Sequence, residues 1–405
     1  MEQNNNDVLE AKGTKGFVTL LKNFDYTMLI VLVWLLLFGL VMVYSASLVV
    51  AVMIYDYQID FFYAKQLRSI IVASLVFIVA CFIPYSFYRK LNKLAILSSI
   101  VILIYVLVKG TTANNASQWI SVFGMTVQPS ELVKLSVIIY LATIFSKKQK
   151  YIGNFSRGVA PPVIIVAVIL GLIIVQPDFG TSMVIAFTSF ILILCSGMKL
   201  RHLAILSLIG MVLLGIFFNF VATNEQKSRI NGAYQPFEDP SDDGYQLINS
   251  YLAFATGGVT GQGFGESIQK FGYLPEPHTD FIIAVIGEEF GLIGVFMVLS
   301  LLFFIVIRGL LIGIRCQDTF GSLLAIGISS LIGTQTFINI GVAIGLLPIT
   351  GVTLPFISYG GSSLLSLMLA MGILMNLSAH NKMEMKQKKK HDNVVPLHKH
   401  ISHSQ

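Results

Sequence analysis

The sequence predicts an all-α, polytopic membrane protein, and three observations lead there. The 405 residues are 55% hydrophobic and only 12% charged, too apolar for an ordinary soluble domain. Apolar runs of about 20 residues, enough to cross a bilayer as a helix, recur along the chain. Polar residues gather instead in one long segment, 223–280. Length alone suggests two or three soluble domains. The repeated runs replace that reading with one membrane domain over 28–380, between a polar segment 1–27 and a basic tail 381–405.

Ten spans are expected, at 28–50, 68–84, 94–109, 129–146, 159–175, 180–197, 203–222, 281–307, 320–345 and 361–379. An even number puts both termini on one side. The start, MEQNNNDVLEAKGTKG, is polar and mixed in charge and does not read as a secretory signal peptide. Most of the 27 lysines and arginines fall on the side of the termini, including Arg89, Lys90, Lys93, Lys147, Lys148, Arg308 and Arg315. Lys65, Arg68, Lys109, Lys227, Arg229 and Lys270 fall on the other. Basic residues favour the cytoplasmic face, so both termini are expected there. The tail KMEMKQKKKH then reads as an orientation determinant that touches anionic lipid. With the charge so placed, the net +6 does not point to nucleic acid. Cys81, Cys195 and Cys316 form no C-x-x-C pair, which argues against a disulfide framework or a cysteine metal site.

Taken in order, the first polar outer loop is 110–128, which carries Trp119. That ring is either an interfacial anchor or an aromatic wall beside a substrate. Span four opens with QPSELVKLS. Pro129 suits a first helical turn, and Glu131 stands where an acid favours exposed N–H groups. Lys134, on the same face three residues on, lies one turn deeper and needs a partner or a watery cavity. In QPDFGTS, 176–182, Asp178 either caps span six or faces the same cavity.

The long loop has four parts. The piece NEQKSRINGAYQPFEDPSDDG reads as irregular surface chain. QLINSYLAFAT, 246–256, has helical apolar spacing but is too short to span, so it is a re-entrant or surface-lying helix. GGVTGQGFGES, 257–267, is a glycine-rich turn whose N–H groups could approach a phosphate, a weak signal without a following βα unit. Last comes GYLPEPHTDFIIAVIGEE, 272–289, which puts Asp280, Glu288 and Glu289 at or just inside the start of span eight. An ionised group in a bilayer segment is costly, so its default reading is functional. Asp280, Ala284, Gly287, Glu288 and Gly291 share one helix face, which suggests a polar cavity wall; close packing through glycine is the alternative. His278, beside Pro277, either shapes the turn or orients a substrate. Gln335 and Asn339 in span nine read as interhelical hydrogen bonds. The loop LPITGVTLPFISYGGSS, 347–363, with Ser358 near its end, is broken by prolines and glycines and is expected to complete the outer wall of the site.

Four stretches carry a resemblance: QPSELVKL (128–135), QPDFGTS (176–182), GYLPEPHTDFIIAVIGEEFGLIG (272–294) and NIGVAIGLLPITGVTLPFISYGGSS (339–363). With them the chain resembles, from about residue 28 to 380, the SEDS family (shape, elongation, division and sporulation) of bacterial peptidoglycan glycosyltransferases. DPSDDGYQ followed by GFGESIQKFGYLPEPHTDF looks like the division branch, with the elongation branch the nearer competitor. The resemblance implies a ten-helix fold that polymerises lipid II on the outer face, with Asp280 as the essential acid and Trp119, Glu131 and Lys134 as matching site residues. It also implies a divalent cation, Mg²⁺ or Mn²⁺, at a site the sequence does not locate. A class B penicillin-binding protein is the implied partner, beside other division proteins and membrane lipids.

Chemistry places these groups. Joining a sugar hydroxyl to an anomeric carbon needs a base, for which Asp280 at the outer boundary is suited. A leaving pyrophosphate needs positive charge, which Lys134, with Arg229 or Lys270, can supply. A flippase for the lipid-linked precursor would share the intramembrane charges and broken helices. The acids, however, gather at the outer boundary, and no internal repeat is visible. A scaffold for division partners is compatible with catalysis.

Overall fold

The computed structural model describes residues 14–113, 116–122, 125–216, 224–242 and 244–399. The end of the expected seventh span, 217–222, lies outside the described residues. The chain runs through α1 (Thr14–Lys22), α2 (Tyr26–Met53), α3 (Phe61–Phe82) and α4 (Tyr85–Lys109). A small sheet follows, β1 (Thr111–Ala113), β2 (Ala116–Val122) and β3 (Met125–Val127). Then come α5 (Pro129–Lys147), α6 (Ala160–Val175), α7 (Phe179–Cys195) and α8 (Leu200–Ile216). The long loop holds α9 (Asn224–Tyr234) and α10 (Tyr245–Gly257), and α11 (Ile282–Arg315), α12 (Thr319–Ala343) and α13 (Gly361–Lys399) complete the chain. Among the described residues, eight helices are long and apolar enough to cross a membrane, namely α2 to α6 and α11 to α13. The shorter apolar helices α7 and α8 lie where the sixth and seventh spans are expected.

Four boundaries differ from the apolar runs. α3 and α4 begin earlier, at Phe61 and Tyr85, α11 continues to Arg315, and α13 runs on to Lys399 through most of the stretch expected as a tail. The added stretches carry lysine and arginine, whose long stems allow a helix to continue past the hydrocarbon edge. Caps fix other ends. Asp25, Asp178 and Asp318 accept from the backbone N–H of Met28 (3.4 Å), Thr181 (3.0 Å) and Gly321 (3.1 Å), satisfying donors that a helix start leaves over. At the basic end of the bundle two of these acids also bind arginine, Asp25 with Arg308 at 2.7 Å and Asp318 with Arg89 at 2.6 Å.

The centre is built from α5, α12 and α13. The apolar stretch of α13 is 89% buried, against 28% for α3, so α3 turns most of its surface to lipid. Buried polar side chains satisfy backbone where helices break. Asn376 on α13 donates to the carbonyl of Cys81 (2.7 Å) and accepts from the N–H of Tyr85 (3.0 Å) at the α3–α4 turn. Asn339 on α12 donates to the carbonyls of Asp280 (2.7 Å) and Val352 (2.8 Å). It thus ties two loops together and does not bridge helices as the sequence suggests. Gln335 is buried with Oε1 lacking a hydrogen-bond partner.

Two pieces of the outer end depart from the sequence reading. The loop 110–128 is a three-stranded antiparallel sheet, ordered β1-β2-β3, with Thr111 opposite Trp119 and Ile120 opposite Val127. Its threonine, tryptophan, isoleucine and valine are strand formers. The charged piece after α8 contains the helix α9. Helix α10 forms as expected.

The glycine-rich turn is a clamp on α11. Gly291 has φ 64° and ψ −165°, which breaks the helix. The break separates Glu288 and Glu289 carbonyls from the N–H groups of Leu292 and Ile293, their helical partners. The turn supplies replacements. Gln262 and Gly263 donate to Glu288 and Glu289 (2.9 and 3.0 Å), while Leu292 and Ile293 donate to Gly258 and Val259 (3.0 and 3.2 Å). A broken helix is tolerated at membrane depth when the freed groups are satisfied within the protein. Those N–H groups are therefore committed to α11, not held open for a phosphate. The close approach requires glycine: a Cβ on Gly257 would stand against the carbonyl of Gly287, and one on Gly261 against that of Glu289.

Gly261→Ala combines that collision with a left-handed φ of 82°; it is expected to cost about 2–4 kcal/mol and to lower the thermal midpoint of the detergent-solubilised protein. Gly265→Ala, left-handed at φ 86° but with open space around it, should cost only about 1–2 kcal/mol.

Candidate active site

Six segments, mostly loops and helix ends, converge on a cavity of about 800 Å³. Its walls include Gln118 and Trp119 from β2, Gln128, Glu131 and Lys134 from the start of α5, and Asp178 at the start of α7. Arg229 of α9, Glu276, Thr279 and Asp280 ahead of α11, and Tyr359 to Ser363 ahead of and at the start of α13 complete it. The cavity therefore gathers Trp119, Glu131, Lys134, Arg229 and Asp280 from residues far apart in the chain.

Asp280 is partly exposed to this space. Its carboxylate accepts from the Thr279 hydroxyl at 3.1 Å, and the same hydroxyl lies 2.9 Å from the Glu276 carboxylate. Glu276 is held at a left-handed φ of 50°, a conformation that costs a non-glycine residue free energy and is found preferentially at functional sites. Desolvation, reinforced by the Glu276 charge, pushes the Asp280 pKa up to about 7, and the nearby Arg229 acts against that rise.

Across the cavity Lys134, only 3% exposed, meets Glu131 at 2.8 Å. The pair sits at the start of α5, which is pinned from two sides. Ser366 donates to the Glu131 carbonyl (2.8 Å) and Ser362 accepts from the Gln128 N–H (3.0 Å). On the other side Asp178 accepts from Gln128 (2.9 Å) and Ser130 (3.1 Å) while capping α7. Asp178 thus does both things the sequence left open, and burial raises its pKa.

Four residues expected at the site lie elsewhere. His278 is buried between the rings of Phe62 (4.4 Å) and Tyr359 (5.4 Å), and its carbonyl accepts from Tyr359 at 2.9 Å. Burial lowers its pKa to about 4, so it is a neutral wedge that sets the turn. Ser358 caps its own loop by accepting from the Leu354 N–H at 2.8 Å; its neighbours Ser362 and Ser363 reach the cavity instead. Glu288 faces the glycine clamp, accepting from Ser267 (2.5 Å), Ile268 (3.0 Å), Gln269 (3.2 Å) and Thr256 (3.2 Å). Lys270 is 2% exposed and binds Glu289 at 2.8 Å, with Ser45 (3.0 Å) and the Gly265 carbonyl (2.6 Å) completing its shell. The expected polar face of α11 therefore packs through glycine against α10 and the clamp.

The sequence reading passed over Glu276, Gln118, Gln128 and Tyr359. Glu276 lies inside the stretch that carries Asp280, and its charge next to a desolvated acid was the available signal. Among the described residues no group of three or more histidine, cysteine, aspartate and glutamate side chains converges as a metal cage. The donor set fits a divalent cation only if phosphates of a substrate complete its shell.

Comparison with known proteins gives consistent matches. The model of the FtsW/RodA/SpoVE family, described as cell cycle protein, matches residues 26–383. The probable peptidoglycan glycosyltransferase FtsW of Bacillus subtilis is 47% identical over 380 residues, 92% of this chain and 94% of that protein. Stage V sporulation protein E of the same organism is 41% identical, over 88% and 98%. The FtsW of Geobacter metallireducens is 39% identical, over 89% and 96%. Among solved structures, a chain of a peptidoglycan synthase complex that coordinates polymerization and crosslinking superposes with a TM-score of 0.72 at 23% identity, over 88% and 98%. The rod shape determining protein RodA of Thermus thermophilus superposes at 0.65 and 25% identity, over 88% and 96%.

Removing one partner of the buried Lys270–Glu289 pair strands a charge, which typically costs about 3–5 kcal/mol. Lys270→Met should therefore sharply lower the thermal midpoint, and the double variant Lys270→Met/Glu289→Gln should recover part of the loss. A midpoint unmoved by Lys270→Met would contradict the structural role given to this lysine.

Proposed function

The chain belongs to the FtsW/RodA/SpoVE family of cell cycle proteins, and from that premise we propose that Asp280 is the general base with which it polymerises lipid II into glycan strands. It is a multi-pass membrane protein and a peptidoglycan glycosyltransferase. The observation that carries the mechanism is one cavity in which an acid with a pKa near 7 shares space with two cations, Lys134 and Arg229.

The 4-hydroxyl of the acceptor GlcNAc attacks the anomeric carbon of the donor MurNAc. The new C–O bond forms as the bond to the lipid pyrophosphate breaks, with inversion at carbon. The hydroxyl proton passes to Asp280, and the pyrophosphate leaves with the electron pair. A base whose pKa lies near the working pH combines availability with driving force. Lys134 and Arg229 stabilise the charge that grows on the leaving group, and Glu131 fixes the position of Lys134. Trp119 supplies an apolar wall. A divalent cation, Mg²⁺ or Mn²⁺, belongs to the same proposal; held chiefly by the pyrophosphate, it would add positive charge there. Lipid tails enter sideways from the bilayer.

Orientation and setting complete the proposal. The bundle end with most of the lysine and arginine is cytoplasmic and the cavity faces outward. A class B penicillin-binding protein receives the strands for crosslinking, at the division septum together with other division proteins. The FtsW relatives support the division assignment over the elongation one.

The test is polymerisation of lipid II by the purified chain, with and without a matching transpeptidase. Asp280→Asn should lower strand formation by at least about 10²-fold without moving the thermal midpoint; an active variant would overturn the mechanism. Strand formation should also rise with pH through about 7, since Asp280 becomes a base only on losing its proton there. Glu276→Gln removes the like charge, lowers that pKa and moves the rise to lower pH, whereas Arg229→Gln moves it higher. A profile flat from pH 5.5 to 8 would contradict the assignment.

A further inference from the structure

Gln118 and Gln128 both line the cavity, and they belong to an ordered chain of amides. The chain is rooted in the bundle. The buried Gln176 side chain donates to the carbonyl of Leu103 on α4 at 2.9 Å. The Gln176 carbonyl accepts from Gln118 Nε2 at 3.2 Å. Gln118 Oε1 accepts from Gln128 Nε2 at 3.3 Å, and the same nitrogen donates to Asp178 at 2.9 Å. The Gln128 backbone is held as well, by its N–H to Ser362 at 3.0 Å.

This order fixes which way each amide faces. A backbone carbonyl only accepts, so Gln118 presents its nitrogen to Gln176 and its oxygen to Gln128. That oxygen also only accepts, so Gln128 presents its nitrogen. An amide nitrogen carries two N–H groups. Gln128 uses both and, among the described residues, keeps Oε1 without a donor. Gln118 uses one N–H and keeps the other. The wall therefore offers one spare acceptor and one spare donor, on two bonded side chains that are both half-buried. Pro177 and Phe179, on either side of Asp178, line the same cavity. Such polar groups are costly once a substrate displaces water, unless the substrate pairs with them.

We propose that Gln128 Oε1 and the spare Gln118 N–H hold the acetamido group of the donor MurNAc, the first accepting its N–H and the second donating to its carbonyl. The proposal rests on the polymerase reading above and names a group that its cavity recognises. Both sugars of the reaction carry an acetamido group at carbon 2. On the donor that carbon adjoins the anomeric carbon and hence the pyrophosphate. Gln128 immediately precedes α5, the helix that carries Lys134, and Lys134 meets that pyrophosphate in the mechanism above. Pro177 and Phe179 suit the acetamido methyl. A hydroxyl has no such methyl and presents donor and acceptor on one rotating oxygen. The amide chain also braces β2 against α5 and α7, but a brace alone does not tell one substrate from another.

The experiment measures kcat/KM for lipid II consumption by the detergent-purified full chain. It sets lipid II against two synthetic analogues, with a hydroxyl in place of the MurNAc or the GlcNAc acetamido group. The wild type should use the MurNAc analogue less efficiently than lipid II by about tenfold or more, since the analogue leaves wall groups unpaired. Gln118→Met and Gln128→Met keep the bulk and remove the amide. Each should lose more with lipid II than with that analogue, shrinking the preference to about threefold or less. Gln118→Met leaves the Gln128–Asp178 bond in place, and the wild-type comparison stands whether or not either variant folds. A wild type that uses the MurNAc analogue as well as lipid II would overturn the proposal. So would variants that lose both substrates in equal proportion, or a preference that survives both substitutions. Sensitivity confined to the GlcNAc analogue would overturn the assignment to the donor. An absence of strands from the wild type with lipid II itself would overturn the polymerase reading instead.

Discussion

The structure depends on a backbone exchange at Gly291. A helix that ran unbroken through this point would keep its own hydrogen bonds and leave the glycine-rich turn without partners. The break instead passes two carbonyls and two N–H groups to residues 258–263. That anchors the long loop against α11 and hence fixes where the chain re-enters the bundle. Asp280 is held at this re-entry point, with its own carbonyl bound by Asn339. In lipid, unsatisfied backbone is costly enough that the exchange admits little slack. The buried acids that follow Asp280 serve the same anchoring. Glu288 gathers loop donors, and Glu289 holds Lys270.

With the loop anchored, the cavity can hold Asp280 and Lys134 without pairing one with the other. Lys134 is committed to Glu131 within the start of α5. Asp280 instead has Glu276 as its near charged neighbour, bridged by Thr279. Desolvation and a like charge both favour the protonated acid, which is how a carboxyl becomes a useful base near neutral pH. The division of labour follows from packing: Glu131 holds Lys134 in its buried position, while desolvation and proximity to another acid raise the pKa of Asp280.

Much of this was legible in the sequence, for physical reasons. Helices that cross lipid need long apolar runs, so their order along the chain can be read directly. Glu131, Lys134 and Asp280 stand out because charge in such runs is costly. Glu288 drew attention on the same ground, Lys270 as a cation for a leaving group and His278 for its place beside Pro277, yet the structure uses them to hold loops. Helical periodicity placed Glu288 beside Asp280 on one face, but Asp280 precedes the helix, and the glycine clamp, a long-range contact, covers the face on which Glu288 lies. The sheet at 111–127 was missed because strands of three to seven residues in a polar loop leave almost no periodic signal. Helix α9 was missed because its sequence is polar and lacks an apolar stripe. Ser358 was misplaced by a few residues, since a turn broken by proline and glycine does not reveal which of its hydroxyls points inward.

The central claim is that Asp280 keeps its proton until about pH 7. The most direct measurement is an infrared difference titration of the purified chain, wild type minus Asp280→Asn, following the carboxylic C=O band. A band present at pH 6 that vanishes as pH rises through 7 is the expected result. A carboxylate already fully ionised at pH 5 would contradict the account of the base.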